Sequence, residues 1–450
     1  MDEKTRRPAL GHKADGSLHN EARSDNSLER GFLRSSTADP FGLLGEPVSA
    51  DIARVPFYVM AKPAGALCNL ACEYCYYTEK KHLYAQTPHH VMSDALLERF
   101  TRDYIQAQPT PNVLFTWHGG EALMRPVSFY QKALDLQRKY AEGRHIDNAL
   151  QTNATLLTDE WAEFLAKNHF LVGVSIDGPQ EFHDEYRKSR TGRPSFMQVL
   201  RGIRLLQKHG VEWNALAVVN DYNADYPLDF YRFFRDELSG PFLQFTPVVE
   251  RIEPHSDGRH LASVAGGTHL QLAPFSVSPG QWGDFLCAIF DEWVRRDVGK
   301  MFVQLFDATL ANWVGVMPGV CTLAETCGHA LAMEFQGDVY CCDHFVFPEY
   351  KLGNIYERPL VEMLQDERQR QFGLDKREAL TRECRECDYL FACHGECPRL
   401  RFATDSYGNQ RHNYLCRGYK KFFAHVAPYM DRMKKLLQEG RAPAEIMHEV

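Results

Sequence analysis

Nowhere in its 450 residues does the chain hold an uninterrupted apolar run of the roughly eighteen residues a membrane-crossing helix needs, so no membrane partner is expected. Its opening residues, MDEKTRRPALGHKADGS, lack the apolar centre of a secretory signal, and the expected location is cytoplasmic. Basic charge is not in excess either. Lys plus Arg number 51 against 59 Asp plus Glu, a formal charge of −8, which gives no support to a nucleic-acid-coating role. Residues 1–50 have little apolar periodicity and are rich in Ser, Asp, Arg, Gly and Asn, the composition of a disordered leader. The rest is not short of core-forming residues: 44% of the chain is hydrophobic and 12% aromatic, enough to offset the entropy of ordering a large α/β body. Nor is it short of cysteine. Thirteen thiols in a chain without a secretory signal read as metal or cluster ligands rather than a disulfide framework.

From Phe57 onward, short β-branched or aromatic runs alternate with segments of helical period. Strands are expected at residues 57–62, 112–117, 146–151, 171–176, 212–219 and 242–247. Helices are expected between them, at 93–106, 128–141, 158–168, 195–209, 226–238 and 280–297. Repeated β-then-α order implies parallel strands joined by right-handed crossovers, closing as a barrel or opening as a doubly wound sheet. Either form sets its chemistry at the strand carboxyl ends. After about residue 315 the alternation stops, and Cys, Gly, His and charged residues mark a small cluster-stapled module. Helical period returns from Tyr419 to Gln438 in a segment expected to pack back onto the body.

Cys68, Cys72 and Cys75 fall within CNLACEYC, directly after the first expected strand. Soft thiolates select zinc, copper(I) or iron–sulfur clusters, and three of them leave one position of a four-ligand site open for chemistry. A zinc knuckle completed by His82, or simple buried thiols, are the plainer readings. Eight further thiols, Cys321, Cys327, Cys342, Cys384, Cys387, Cys393, Cys397 and Cys416, suffice for two four-ligand sites, although spacing alone does not choose zinc over iron–sulfur. Cys287 reads as a buried small hydrophobe. Cys341 abuts Cys342, and the GDVYCCD pattern favours Cys342 as the ligand without eliminating its neighbour. Polar residues gather at the other strand ends: His118-Gly119-Gly120-Glu121 after the second, Gln151-Thr152-Asn153 after the third, Ser175 and Asp177 after the fourth. Loop capping explains any one of these taken singly.

CNLACEYC resembles the cluster loop of the radical SAM superfamily, whose CxxxCxxC follows the first strand of a partial (β/α)6 barrel. The resemblance implies that Cys68, Cys72 and Cys75 bind a [4Fe-4S] cluster whose open iron chelates S-adenosyl-L-methionine. It further implies that Gly119, Gly120 and Glu121 meet the methionyl amino group, and that Asn153, Ser175 and Arg187 face the cofactor. The later cysteines, with EALMRP, LQTN and VSIDGP, resemble SPASM-extended peptide-modifying enzymes, particularly anaerobic sulfatase-maturating enzymes, from about Val55 to Tyr429. Departures are small: Ala122 stands where Pro is usual in many members, and His118 replaces a frequent Gln.

By that resemblance Cys321, Cys327, Cys342 and Cys397 hold one auxiliary [4Fe-4S] cluster, and Cys384, Cys387, Cys393 and Cys416 the other, three clusters in all. The fold class implied is α/β, with domains at 51–300 (partial barrel), 301–430 (SPASM module) and 431–450 (tail). The function implied is oxidation of a sulfatase Cys or Ser to Cα-formylglycine, with an electron donor such as flavodoxin or ferredoxin. Asp343, otherwise read as a solvated turn acid, becomes the general base, while Tyr77 and His118 lie near the substrate. The rival within the same fold forms thioether, carbon–carbon or epimerised linkages in another ribosomal peptide; outside it stands a metal-stapled scaffold without catalysis.

Overall fold

The computed structural model describes residues 52–85, 90–240, 242–253 and 270–450, so the leader expected at 1–50 lies outside the described residues. Ten strands form one sheet. In chain order the barrel-forming elements are β1 (Tyr58–Ala61), α1 (Asp94–Ala107), β2 (Asn112–Trp117), α2 (Val127–Tyr140), β3 (His145–Thr152), α3 (Asp159–Lys167) and β4 (Leu171–Ser175). They continue through α4 (Gln180–Tyr186), α5 (Phe196–Lys208), β5 (Trp213–Val219), α6 (Pro227–Arg232) and β6 (Phe242–Pro247). A two-stranded ribbon of β7 (Arg251–Ile252) and β8 (Gln271–Leu272), then α7 (Pro279–Arg296), β9 (Phe302–Val303) and α8 (Gln304–Val314), follow.

Strands β1 to β6 lie side by side in sequence order, all parallel. A doubly wound sheet would reverse its strand order at a switch point. None occurs from β1 to β6, which leaves the singly wound, barrel-type arrangement of the two that the periodicity allows. The reason each segment chose its element is visible in its burial. β2 alternates inward Val113, Phe115 and Trp117 with partly exposed partners, and α1 buries Leu96, Leu97, Phe100, Tyr104 and Ile105 on one stripe behind a Ser93 cap. Trp117 is fully buried because its indole N–H reaches Asn148 Oδ1 at 2.8 Å. The expected helix at 226–238 is only half regular, since α6 gives way to a π-type turn over Phe233–Glu237.

The cysteine-rich stretch is not confined to a separate layer. It supplies β10 (Ala330–Met333), β11 (Asp338–Tyr340) and β12 (Lys351–Asn354), and β10 pairs in parallel with β1, extending the same sheet beyond its first strand. Thereafter come α9 (Leu360–Leu364), α10 (Glu367–Glu378), α11 (Arg382–Arg385), α12 (Leu390–Cys393), the hairpin of β13 (Arg401–Thr404) and β14 (Gln410–Asn413), and the long α13 (Cys416–Gln438). The α13 helix docks on α7 at a crossing of small residues, where a Cβ on Gly418 would come within 2.3 Å of the Pro279 carbonyl oxygen. No described helix is long and apolar enough to cross a membrane.

Candidate active site

The loop leaving β1 carries Cys68, Cys72 and Cys75, and the segment leaving β2 holds that loop in place. Backbone bonds run from His118 N to Ala61 O (2.9 Å), Gly120 N to Gly65 O (2.7 Å) and Glu121 N to Leu67 O (2.8 Å). This contact explains the paired glycines. Gly119 has φ 133°, and a Cβ on Gly120 would meet Leu67 O at 2.3 Å, so side chains there would push the cysteine loop away. Glu121 is buried, and its carboxyl accepts from Leu123 N (2.9 Å), Thr152 Oγ1 (2.7 Å) and Asn153 N (2.8 Å). Burial raises its pKa against those bonds, so the group is fixed in position at the ends of β2 and β3.

All described cysteines are free thiols. Burial pushes Cys68 and Cys72 up to about 12, and Cys75 adds to the effect on both. Three soft donors crowding one another, with the amide of Asn153 reaching Cys68 Sγ at 3.7 Å, fit a thiolate-bound cationic cluster, which would relieve their cost of ionisation. Nearby, Gln151 Nε2 donates to Ser175 Oγ at 3.0 Å. Arg187 makes two bonds to Asp177, at 2.8 and 3.0 Å, and its charge also falls on Cys72; Tyr74 donates to the same carboxylate.

The later cysteines fall into two neighbourhoods by mutual electrostatic influence, and Cys327 of the first also acts on Cys341. Cys342 feels Cys397 and Cys321, and Cys397 feels Cys321 and Cys327, while Cys393 feels Cys416 and Cys384, and Cys416 feels Cys384 and Cys387. Buried Lys376 stands behind the first set, donating to the carbonyls of Cys321, Thr322 (2.8 Å) and Ala324. Arg401 lies between the sets, with Cys384, Cys397 and Cys393 all acting on it. The donor chemistry again fits iron–sulfur clusters. Cys341 is buried, and its N–H is bonded to Tyr350 O at 3.1 Å; Cys287 is likewise buried, inside α7. His412 and Glu383 stand within 4.8 Å of the Cys416 sulfur, a neighbourhood that thiol spacing did not reveal.

Asp343 is buried, not a solvated turn acid. Lys62 at the end of β1 pairs with its carboxylate, and Tyr76, from the cysteine loop, donates a hydrogen bond to it. Burial alone would raise its pKa, but the Lys62 ammonium, with the imidazoles of His118 and His344 alongside, outweighs it and holds the carboxyl well below the usual range. Lys62 Nζ is also 3.2 Å from His118 Nδ1, which accepts from Gly119 N at 2.7 Å. Burial and the Lys62 charge push His118 down to about 4, so it is neutral with its proton on Nε2. Tyr77 is buried and donates to Glu334, which burial pushes up to about 7. Arg399 Nη2 binds Glu250 at 2.6 Å and its guanidinium lies 4.7 Å from the Tyr76 ring. Sequence reasoning missed Lys62, Tyr76, Glu334, Glu250 and Arg399; the available signal was a Lys inside an otherwise apolar strand end.

Residues 64–234 match the radical SAM superfamily and residues 325–388 an iron–sulfur cluster-binding (SPASM) domain. The chain is 66% identical to a serine-type anaerobic sulfatase-maturating enzyme of Bacteroides thetaiotaomicron, over 87% of this chain and 94% of that one. It belongs to the anaerobic sulfatase-maturating enzymes.

A cysteine-type member from Clostridium perfringens is 30% identical over 83% of this chain and 97% of its own. The solved structure of native anSMEcpe with bound AdoMet and Cp18Cys peptide superposes with a TM-score of 0.73, at 30% identity, over 84% of this chain and 99% of that one. This sulfatase-maturating enzyme is thus a radical SAM oxidoreductase, with [4Fe-4S] clusters and S-adenosyl-L-methionine as its cofactors.

Proposed function

We propose that the chain converts the active-site Ser of a sulfatase into Cα-formylglycine, with Asp343 as the base that takes the side-chain proton. The single observation that carries the base is the buried gathering of Lys62, Tyr76 and His118 around that one carboxylate. Serine as the residue acted on is supported by the 66% identity to a serine-type relative against 30% to a cysteine-type one.

The oxidation removes one hydrogen atom from Cβ, one proton from oxygen and one further electron. When bound, the first cluster and S-adenosyl-L-methionine supply the deoxyadenosyl radical that takes the hydrogen atom. The chain's own residues do the rest. Cys68, Cys72 and Cys75 would hold that cluster, and Gly119, Gly120 and Glu121 would seat the methionyl end, beside Asn153, Ser175 and Arg187. Lys62 and Tyr76 keep Asp343 ionised and aimed, so it can only accept. Abstraction at Cβ makes the attached hydroxyl more acidic, and a well-positioned carboxylate of modest basicity then suffices. Tyr77 and neutral His118 would border the peptide, and burial of the group excludes water that would otherwise compete for the proton. Two sets, Cys321, Cys327, Cys342, Cys397 and Cys384, Cys387, Cys393, Cys416, would hold the auxiliary clusters. The redox partner in this reading is a flavodoxin- or ferredoxin-type carrier, and the site of action the cytoplasm.

Asp343→Asn tests the base. Aldehyde formation should fall by about 10²-fold or more, while deoxyadenosine release from S-adenosyl-L-methionine is retained. Normal aldehyde yield in that variant would remove Asp343 from the mechanism.

A further inference from the structure

The second auxiliary cysteine set lies near a cavity whose wall is basic on a molecule of negative net charge. The chain carries a net −8, yet a cavity of about 410 Å³ is walled by Arg382, Arg385 and Arg411 with Thr381, Asn409 and Gln410. Arg382 and Arg385 open and close α11, the same turn that carries Cys384, and Cys387 follows two residues later. Arg382 is partly spent: it pairs with Glu386 at 2.7 Å and lies 4.2 Å over the Tyr407 ring. Arg385 gives one N–H to the Glu378 carbonyl at 3.1 Å. Both Arg385 and Arg411 are exposed, and neither is ion-paired among the described residues.

Arg411 is held there at a cost. Its φ of 67° lies in the left-handed region that disfavours a side chain. The hairpin turn before it is pinned by Asp405, which accepts from Tyr407 N (3.0 Å) and Asn409 N (2.7 Å). Lys420 adds a further exposed positive charge that acts on Glu383, His412 and Cys416.

We propose that this arginine-walled concavity is where an acidic one-electron carrier protein docks. The inference rests on the functional reading above and adds the surface and the charge of the partner. Small, weakly buried, charge-steered contacts suit redox encounters, which must form and dissociate quickly. A basic patch on an otherwise acidic molecule orients such a partner while the remaining surface repels it. The carrier exchanges single electrons at this end: reduced carrier gives up one electron and becomes oxidised, and oxidised carrier takes the one electron that peptide oxidation releases beyond its hydrogen atom and proton.

The test uses holoenzyme and a recombinant acidic flavodoxin. Affinity is measured anaerobically by calorimetry at low and moderate salt, for wild type, Arg385→Glu/Arg411→Glu and the milder Arg385→Gln/Arg411→Gln. The charge reversal should weaken binding at least tenfold and the neutral pair by less. Turnover with flavodoxin as sole redox partner should fall in parallel, with iron content, visible absorption and dithionite-driven aldehyde formation unchanged. Unaltered flavodoxin affinity in both variants, or binding insensitive to salt, would overturn the proposal. So would inorganic phosphate saturating the arginines without displacing flavodoxin, which would make the cavity a small-anion site. If wild type made no aldehyde even with dithionite, the functional reading would fail instead, and the flavodoxin affinities would still decide the docking surface.

Discussion

Asp343 shows how a residue can be singled out from sequence while its setting is not. Its adjacency to Cys342 and the family resemblance drew attention to it, but the groups that control it come from positions 62, 76 and 118, far apart in sequence and joined only by the fold. Lys62 is fully buried and its charge is balanced by Asp343, so Lys62→Met should strand an ionised carboxylate and cost about 3–5 kcal/mol. Anaerobic thermal unfolding of Lys62→Met, Asp343→Asn and the double variant checks this: the double should be distinctly less destabilised than the sum of the singles, and strict additivity would refute the coupling. Glu334 offers a pH signature of opposite origin. Burial lifts it to about 7 from an unfolded value of 4.5, so the native state keeps its proton longer than the unfolded chain does. Its contribution is fully present below pH 4.5, declines as pH rises through that window, and is gone above about 7. The difference is on the order of 3 kcal/mol. Wild type should therefore lose stability between pH 5 and 7 relative to Glu334→Gln; parallel pH profiles would show that Glu334 is not a buried acid of raised pKa.

At the scale of elements, the barrel was legible almost residue by residue. The expected strands at 112–117 and 242–247 coincide with β2 and β6, because period-two burial survives where one strand face is fully buried and the other only partly so. Less legible was the passage from Leu331 onward. Its short strands β10 to β12 read as cluster-module loops, yet they complete the sheet against β1, since a strand only three or four residues long carries too little periodicity to announce itself. The polar loops show a similar gap. The resemblance marked Gly119 and Gly120 as cofactor contacts, and the structure adds that they also lie against the carbonyl-rich segment leading into Cys68. Gly120→Ala should consequently displace that segment and cost the protein the iron of its first cluster, with both auxiliary sets retained. Iron analysis with low-temperature EPR separates these outcomes; three intact clusters in the variant would show that the loop yields to a Cβ without consequence.

For the whole molecule, one polypeptide joins a singly wound parallel sheet to a thiol-rich region through shared strands and through α13 packed on α7. Cysteine spacing marked that region as metal-binding but not its integration, because ligand spacing reports local donors and says nothing of sheet partners. Substrate choice belongs to this scale, since in the proposed reading it depends on how the residues gathered around Asp343 receive a peptide, and no single residue in the sequence declares it. The most direct measurement is anaerobic incubation of reconstituted enzyme with S-adenosyl-L-methionine, dithionite and paired sulfatase-signature peptides that differ only in Ser or Cys at the target position, read by mass spectrometry with aldehyde trapping. The account predicts an aldehyde on the Ser peptide, formed together with 5′-deoxyadenosine. Deoxyadenosine without aldehyde on either peptide, or conversion of the Cys peptide alone, would contradict it.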